Sequence, residues 1–336
     1  MKRRGLLLGA ACAPAMAALP PVLQRPALPT PLAAGAAMLA AARAGRRLVA
    51  GGERGIVVTS DDCGASWAQA KVPVQVSLTS LVFADEKRGW ATGHFGTLLT
   101  TTDGGASWQL QMDGMRAAQL TVAAAADDAQ RKAAERKVAE GPDKPFFDLV
   151  HDGRHGIAVG AYGLALETGD GSTWQSLAPR LPNPRQLHLY AVRRAGERIF
   201  IAGEQGLLLR SADAGASFEA LPSPYKGSFF GLIAAKSGTL LAFGLRGSLF
   251  RSTDHGSSWQ PVTSGTPVTL GAGLERDDGS LWLLAQNGDL FVSRDDGQRF
   301  ERRPAPKPFP AAAFAHSDGA SFVLAGLRGL QRQSLA

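Results

Sequence analysis

The chain has 336 residues, 45% of them hydrophobic, enough for a sizeable core. Its formal charge of +7 falls to about +4 without three N-terminal cations, a mild excess, and no interleaved basic–aromatic RNA or DNA motif appears, so no nucleic-acid partner is expected. Forty glycines and twenty prolines against two cysteines exclude a disulfide-built scaffold and fit a turn-dense all-β protein.

Lys2, Arg3 and Arg4 precede an apolar run over residues 6–19, and Ala15-Met16-Ala17 is a small-residue cleavage site. Residues 1–17 therefore read as a signal peptide, leaving residues 18–336 as one exported domain, periplasmic or secreted. The Arg3-Arg4 pair leaves Sec and twin-arginine export both open. Cys12 goes with the leader, so Cys63 is the sole remaining cysteine and no intramolecular disulfide can form.

The mature chain repeats. Gly52-Glu53-Arg54-Gly55 recurs as G-x-x-G at 93, 160, 203, 244 and 326, with Ala285 leading the variant at 285. Five of the six steps are 41 or 43 residues, the period of a propeller or solenoid. Each unit holds four short apolar stretches parted by turn residues, which predicts one four-stranded antiparallel blade. The G-x-x-G is the expected turn between strands two and three, where glycine tolerates positive φ.

About ten residues behind six of the seven turns comes Ser/Thr-x-Asp-x-Gly-x-Ser-Trp/Phe, over residues 60–67, 101–108, 211–218, 252–259 and 293–300, with a shortened copy at 168–174. Its aspartates are Asp62, Asp103, Asp170, Asp213, Asp254 and Asp295. The phrase resembles the Asp-box of sialidase-type and related propellers. The Asp is expected to accept hydrogen bonds from turn amides, and the aromatic to fill the seam between blades. These aspartates read as structural.

Seven G-x-x-G turns against six boxes imply that the last blade lacks its outer strand. Residues 22–30 are expected to supply it, closing a seven-bladed all-β propeller.

The long step, from 93 to 160, carries extra residues. Residues 115–140 contain neither Pro nor Gly and are rich in Ala, Gln, Arg, Lys and Glu. Asp113-Gly114 precedes them and Gly141-Pro142 follows, which predicts a helical insertion within 113–142. Its mixed charges suit either a solvated cover or a partner-binding element.

In a propeller the inter-blade links share a face with the turns between strands two and three. That face should therefore collect the insertion, Arg54, Arg246 and Arg328 from equivalent turns, and Lys144, Arg185, His188, Tyr190, Tyr225 and Lys226 from the links. Cations interleaved with aromatics have the composition of an interface.

The chain resembles the photosystem II stability/assembly factor family. The boxes, such as Ser252-Thr253-Asp254-His255-Gly256-Ser257-Ser258-Trp259, carry the resemblance with the G-x-x-G phrases and the leader. Gly141-Pro142-Asp143-Lys144-Pro145-Phe146 and Ser223-Pro224-Tyr225-Lys226-Gly227-Ser228-Phe229-Phe230-Gly231 look typical of the branch in non-photosynthetic bacteria. The resemblance implies a monomeric, non-enzymatic scaffold that docks on membrane-protein partners through an arginine-bearing face. Arg54, Arg246 and Arg328 are the positions able to carry it. Relatives in that branch resemble envelope accessories to transporters, so a membrane-protein complex or a transporter component is the implied partner, with any membrane association running through it.

A carbohydrate-binding or sialidase-like glycosidase propeller is the alternative. A sialidase needs an arginine triad and a Tyr nucleophile. The Arg-Ile-Pro phrase is absent, and the only tyrosines are Tyr162, Tyr190 and Tyr225. Glu53, Glu204 and Asp143 belong to the face but show no pairing. His151-Asp152-Gly153-Arg154-His155 reads as a tight hairpin rather than a metal ligand pair. No metal or cofactor is expected.

Overall fold

A computed structural model of the chain describes residues 20–319 and 321–334. The expected signal peptide, residues 1–17, lies outside the described residues. The rest forms seven antiparallel meanders. Blade 1 holds β1 (Met38–Ala44), β2 (Arg47–Gly52), β3 (Val57–Ser60) and β4 (Ala68–Gln69). Blade 2 holds β5 (Leu78–Phe83), β6 (Gly89–Gly93), β7 (Leu98–Thr101) and β8 (Gln109–Met112). Blade 3 holds β9 (Phe146–His151), β10 (Gly156–Gly160), β11 (Ala165–Thr168) and β12 (Trp174–Ser176). Blade 4 holds β13 (Leu189–Ala195), β14 (Arg198–Gly203), β15 (Leu208–Ser211) and β16 (Glu219–Ala220). Blade 5 holds β17 (Phe229–Ala234), β18 (Leu240–Gly244), β19 (Leu249–Ser252) and β20 (Gln260–Pro261). Blade 6 holds β21 (Leu270–Glu275), β22 (Leu281–Ala285), β23 (Leu290–Ser293) and β24 (Glu301–Arg303). Blade 7 has three strands, β25 (Ala311–His316), β26 (Ser321–Gly326) and β27 (Gly329–Ser334).

The first strand of each blade is innermost and packs on the first strand of the next, and β25 packs on β1 to close the ring. Apolar cores lie in the seams, where both sheet faces are covered. The box aromatics fill them. Trp108 packs with blade 1 residues Val49 and Val57, and Trp174 with blade 2 residues Trp90 and Leu98. Blade 7 has no box, and there Phe322 takes the seam, its ring 4.6 Å from Trp282 of blade 6.

Residues 22–30 do not add a strand to blade 7. They run along the link that leaves blade 1: Gln75 N donates to Val22 O at 2.7 Å and Ala27 N to Val72 O at 2.9 Å. Leu23 is buried with Val72, Val74 and Val76, an apolar row that would otherwise face water. Composition explains the choice. Pro26 and Pro29 within the segment, with Pro21 and Pro31 on either side, remove amide donors that a ladder strand needs.

Blade 7 departs in register as well. In blade 1, Ala50, two residues before its G-x-x-G, pairs with Val58, three residues after it. In blade 7, Leu324 pairs with Gln331, two residues after the phrase, and Leu327 and Arg328 alone form the turn. A one-residue slide exchanges the faces of a strand. It buries Gln333, whose side-chain amide finds no partner among the described residues.

The insertion between blades 2 and 3 is two helices, not one: α1 (Gly114–Ala123) and α2 (Asp128–Glu140). Asp113 caps α1 by accepting from Met115 N and Arg116 N. Asp127 starts afresh, accepting from Gln130 N, because a carboxylate competes for amides and makes a better cap than an interior residue. Gly141, at φ 98°, ends α2.

Candidate functional site at the channel mouth

Every innermost strand slips register once against its neighbour, near its G-x-x-G end. The residues skipped are Leu39, Thr79, Phe147, Tyr190, Phe230, Gly271 and Ala312, and a bulge re-aims the side chain it carries. All seven line the central channel, a cavity of about 350 Å³. At this bulge position blades 3, 4 and 5 carry aromatics, and the other four carry Leu39, Thr79, Gly271 and Ala312. Tyr190 sits 5.3 Å from Phe147 and 5.1 Å from Phe230, ring to ring. His188 extends the crescent, 6.0 Å from Phe147 and 4.7 Å from Tyr162, whose ring is half exposed. Burial, with Glu204 nearby, raises the Tyr190 phenol above its usual range, so it stays a neutral donor at ordinary pH.

Deeper in the channel, Asp148 accepts from Val192 N at 3.0 Å, Arg193 Nη1 at 2.5 Å and Ser80 Oγ at 3.1 Å. The carboxylate is thus neutralised and satisfied, which fixes the floor of the channel.

The turns bring the expected cations to the same face. In the turns of blades 1 to 5 the third residue, Arg54, Phe95, Tyr162, Gln205 or Arg246, adopts φ between 52° and 57°. This left-handed conformation points the side chain away from the hairpin. The fourth residue, always glycine, meets the link that follows. A Cβ at Gly206 would lie 2.0 Å from Tyr225 O, and one at Gly247 1.9 Å from Thr266 O. Arg54, Arg246 and Arg328 are exposed, and none of their guanidinium groups has an ion-pair or hydrogen-bond partner among the described residues. Lys226 is exposed, and Arg185 is exposed with a hydrogen bond to Gln205. Lys144 differs: it pairs with Asp143 at 2.5 Å and Glu140 at 3.1 Å. Tyr225 turns into the blade, 5.7 Å from Phe229, with its hydroxyl on Leu245 O.

The sequence model of the photosynthesis system II assembly factor YCF48 family matches residues 47–127 and 134–272, well over half of the chain. The chain belongs to that family. Among solved structures, YCF48 bound to a D1 peptide aligns with a TM-score of 0.65 and 16% identity, over 90% of this chain and 94% of that one. YCF48 from Cyanidioschyzon merolae aligns at 0.64 and 13%, over 91% and 97%. The GH74 xyloglucanase from Xanthomonas campestris aligns at 0.62 and 14%, over 89% of this chain but 52% of that enzyme. At such identities these likenesses show the fold alone. No curated protein sequence matches.

Of the face carboxylates of this family member, Asp143 pairs with Lys144, and Glu53 and Glu204 hold the backbone. Glu53 accepts from Ala37 N at 3.0 Å and Glu204 from His188 N at 3.2 Å. The box aspartates lie on the opposite face, beside the turns between strands one and two, as Gly104 N donating to Lys87 O and Ala214 N donating to Glu197 O illustrate. Asp62 accepts from Ser66 Oγ, Ser66 N and Ser60 Oγ, which hold its pKa down at about 2. Asp103, Asp213 and Asp254 repeat these three bonds, while Asp170 and Asp295 make variants. Among the described residues no cluster of His, Cys, Asp and Glu could hold a metal.

Phe147 was not singled out from the sequence, and Phe230 only as part of a link. A signal existed: the seven channel residues stand 13 or 14 positions before their G-x-x-G phrases. Taking that column by itself would have found the crescent.

Proposed function

We propose that this protein is an exported, non-enzymatic scaffold that docks on an acidic segment of a membrane-protein or envelope complex through its G-x-x-G face. The observation that carries this reading is the crescent of Phe147, Tyr190 and Phe230 at the channel mouth, on the face where the guanidinium groups of Arg54, Arg246 and Arg328 stand exposed without partners among the described residues. Aromatic anchors supply desolvated contact area, and peripheral arginines steer an acidic partner and fix its register. The relative bound to a D1 peptide supports a peptide segment as the bound element. A glycosidase needs two carboxylates poised across a cleft, whereas Glu53, Glu204 and Asp148 here are each tied to backbone or to arginine.

Affinity capture from solubilised membranes of the native host tests the reading, comparing wild type with Tyr190→Ala/Phe230→Ala and with Arg246→Glu/Arg328→Glu. Specific partners should be retained by wild type and lost from both variants at unchanged melting temperature. Equal capture by all three proteins would remove this face from consideration.

A further inference from the structure

The helical insertion encloses space. Between the inner side of α2, the Tyr162 turn and the link leaving blade 3 lies a cavity of about 500 Å³. That is an ordinary size for a small-ligand pocket, which is typically apolar with a few fixed polar groups. Its walls are Ala129 and Ala133 on the helix and Pro179, Leu181 and Pro182 on the link. Alanines stand where larger side chains would close the gap between helix and blade.

One cation enters this space. Lys137, half-buried, donates from Nζ to Tyr162 O at 2.7 Å and has no carboxylate within ion-pair distance among the described residues. Glu140 and Asp143, the acids that follow it in the chain, both pair with Lys144, which lies 5.9 Å from the Tyr162 ring centre. Two of the three Lys137 N–H donors therefore lack a partner beside an apolar cavity. Burial, reinforced by Lys144 and Arg136 and only partly opposed by Glu140, lowers the Lys137 pKa. Desolvating an ammonium without a counter-ion is unfavourable, and an anion arriving beside it would relieve that cost.

We infer that the insertion is the lid of a pocket for a small amphipathic monocarboxylate, its alkyl or aryl body lying between α2 and the proline-rich link and its carboxylate on Lys137. This pocket shares no lining residue with the channel cavity and meets the crescent only at Tyr162, so substitutions at Lys137, Ala129 and Ala133 test it apart from the docking surface.

Titration calorimetry of the full chain with decanoate, and with decan-1-ol as the neutral counterpart, tests the assignment. Decanoate should bind saturably, one per chain, at least tenfold tighter than decan-1-ol. Lys137→Met should weaken decanoate at least tenfold and leave decan-1-ol unchanged, and Lys137→Arg should restore most of the affinity. Ala133→Trp, which fills the cavity, should abolish both; Ala129→Leu serves if that variant does not fold. Absence of saturable binding, equal affinity for acid and alcohol, loss of both ligands in Lys137→Met, or full binding by the filled variant would each overturn the assignment.

Discussion

The imidazole of His151 lies flat on the indole of Trp90, ring centres 3.6 Å apart and planes 8° from parallel. His151 closes β9 and sits in the seam between blades 2 and 3, with its Nδ1 accepting from Gly153 N at 2.9 Å and its Nε2 buried without a partner. Burial drives its pKa down from 6.5 to about 4, while Asp152 acts against the shift and Arg88 and His155 assist it. The folded state thus holds the neutral ring, and the unfolded chain takes up the proton first. Stability present above pH 6.5 should decline as pH falls from 6.5 to 4, by roughly 1.4 kcal/mol for each pH unit crossed. Melting curves of wild type and His151→Phe between pH 7.5 and 4 check this. The phenylalanine variant should lose the pH dependence of that window, and parallel curves would contradict the assignment.

Asp254 accepts from Ser258 Oγ, Ser258 N and Ser252 Oγ, and these bonds hold its pKa at about 2. A lowered carboxylate pKa contributes stability above the unfolded value near 4, lost as pH falls toward 2. Asp254→Ala should cost roughly 1–3 kcal/mol at neutral pH, because the Ser258 groups it orphans reach water while Ser252 Oγ is buried. Denaturant melts would show it. Partner capture should not change, and a selective loss of capture would give this carboxylate a role beyond the turn.

Leu23 is 4% exposed against Val72, Val74 and Val76. Leu23→Ala should therefore destabilise by about 2–4 kcal/mol. Because residues 22–30 cover blade 1 rather than complete blade 7, hydrogen exchange in this variant should rise over residues 70–76 and stay unchanged over β25 to β27. The reverse pattern would restore the strand-closure expectation.

Arg246 holds φ at 57°, a conformation that disfavours side chains, while Gly206 holds φ at 80° against a carbonyl. Arg246→Gly should leave stability within about 1 kcal/mol of wild type, since relief of left-handed strain offsets the added freedom of the unfolded chain. Gly206→Ala should cost more than about 2 kcal/mol. Thermal melts of the pair measure the contrast directly. Arg246→Gly is then a clean way to delete the charge without disturbing the turn.

Much of this was legible in the chain because the repeat encodes turns. Glycine spacing placed the hairpins, and box aspartates and aromatics marked the turns and seams. Three features were not legible, each for a physical reason. The prolines in residues 22–30 were weaker evidence than an uncompleted blade, although they decide that the segment cannot join a ladder. The slide in blade 7 follows from a tighter turn behind an identical spelling. The crescent depends on bulges that re-aim Phe147, Tyr190 and Phe230, and its mark in the sequence is positional, a column 13 or 14 residues before each G-x-x-G, rather than compositional.

Site-specific photo-crosslinking tests the central claim most directly. A benzoylphenylalanine is placed at Phe230, on the channel mouth, or at Ser217, in a box on the opposite face, and irradiated with membranes of the native host. The docking account predicts a discrete adduct from position 230, diminished by Arg246→Glu, and none from position 217. Adducts from position 217 alone, or equal adducts from both, would contradict it.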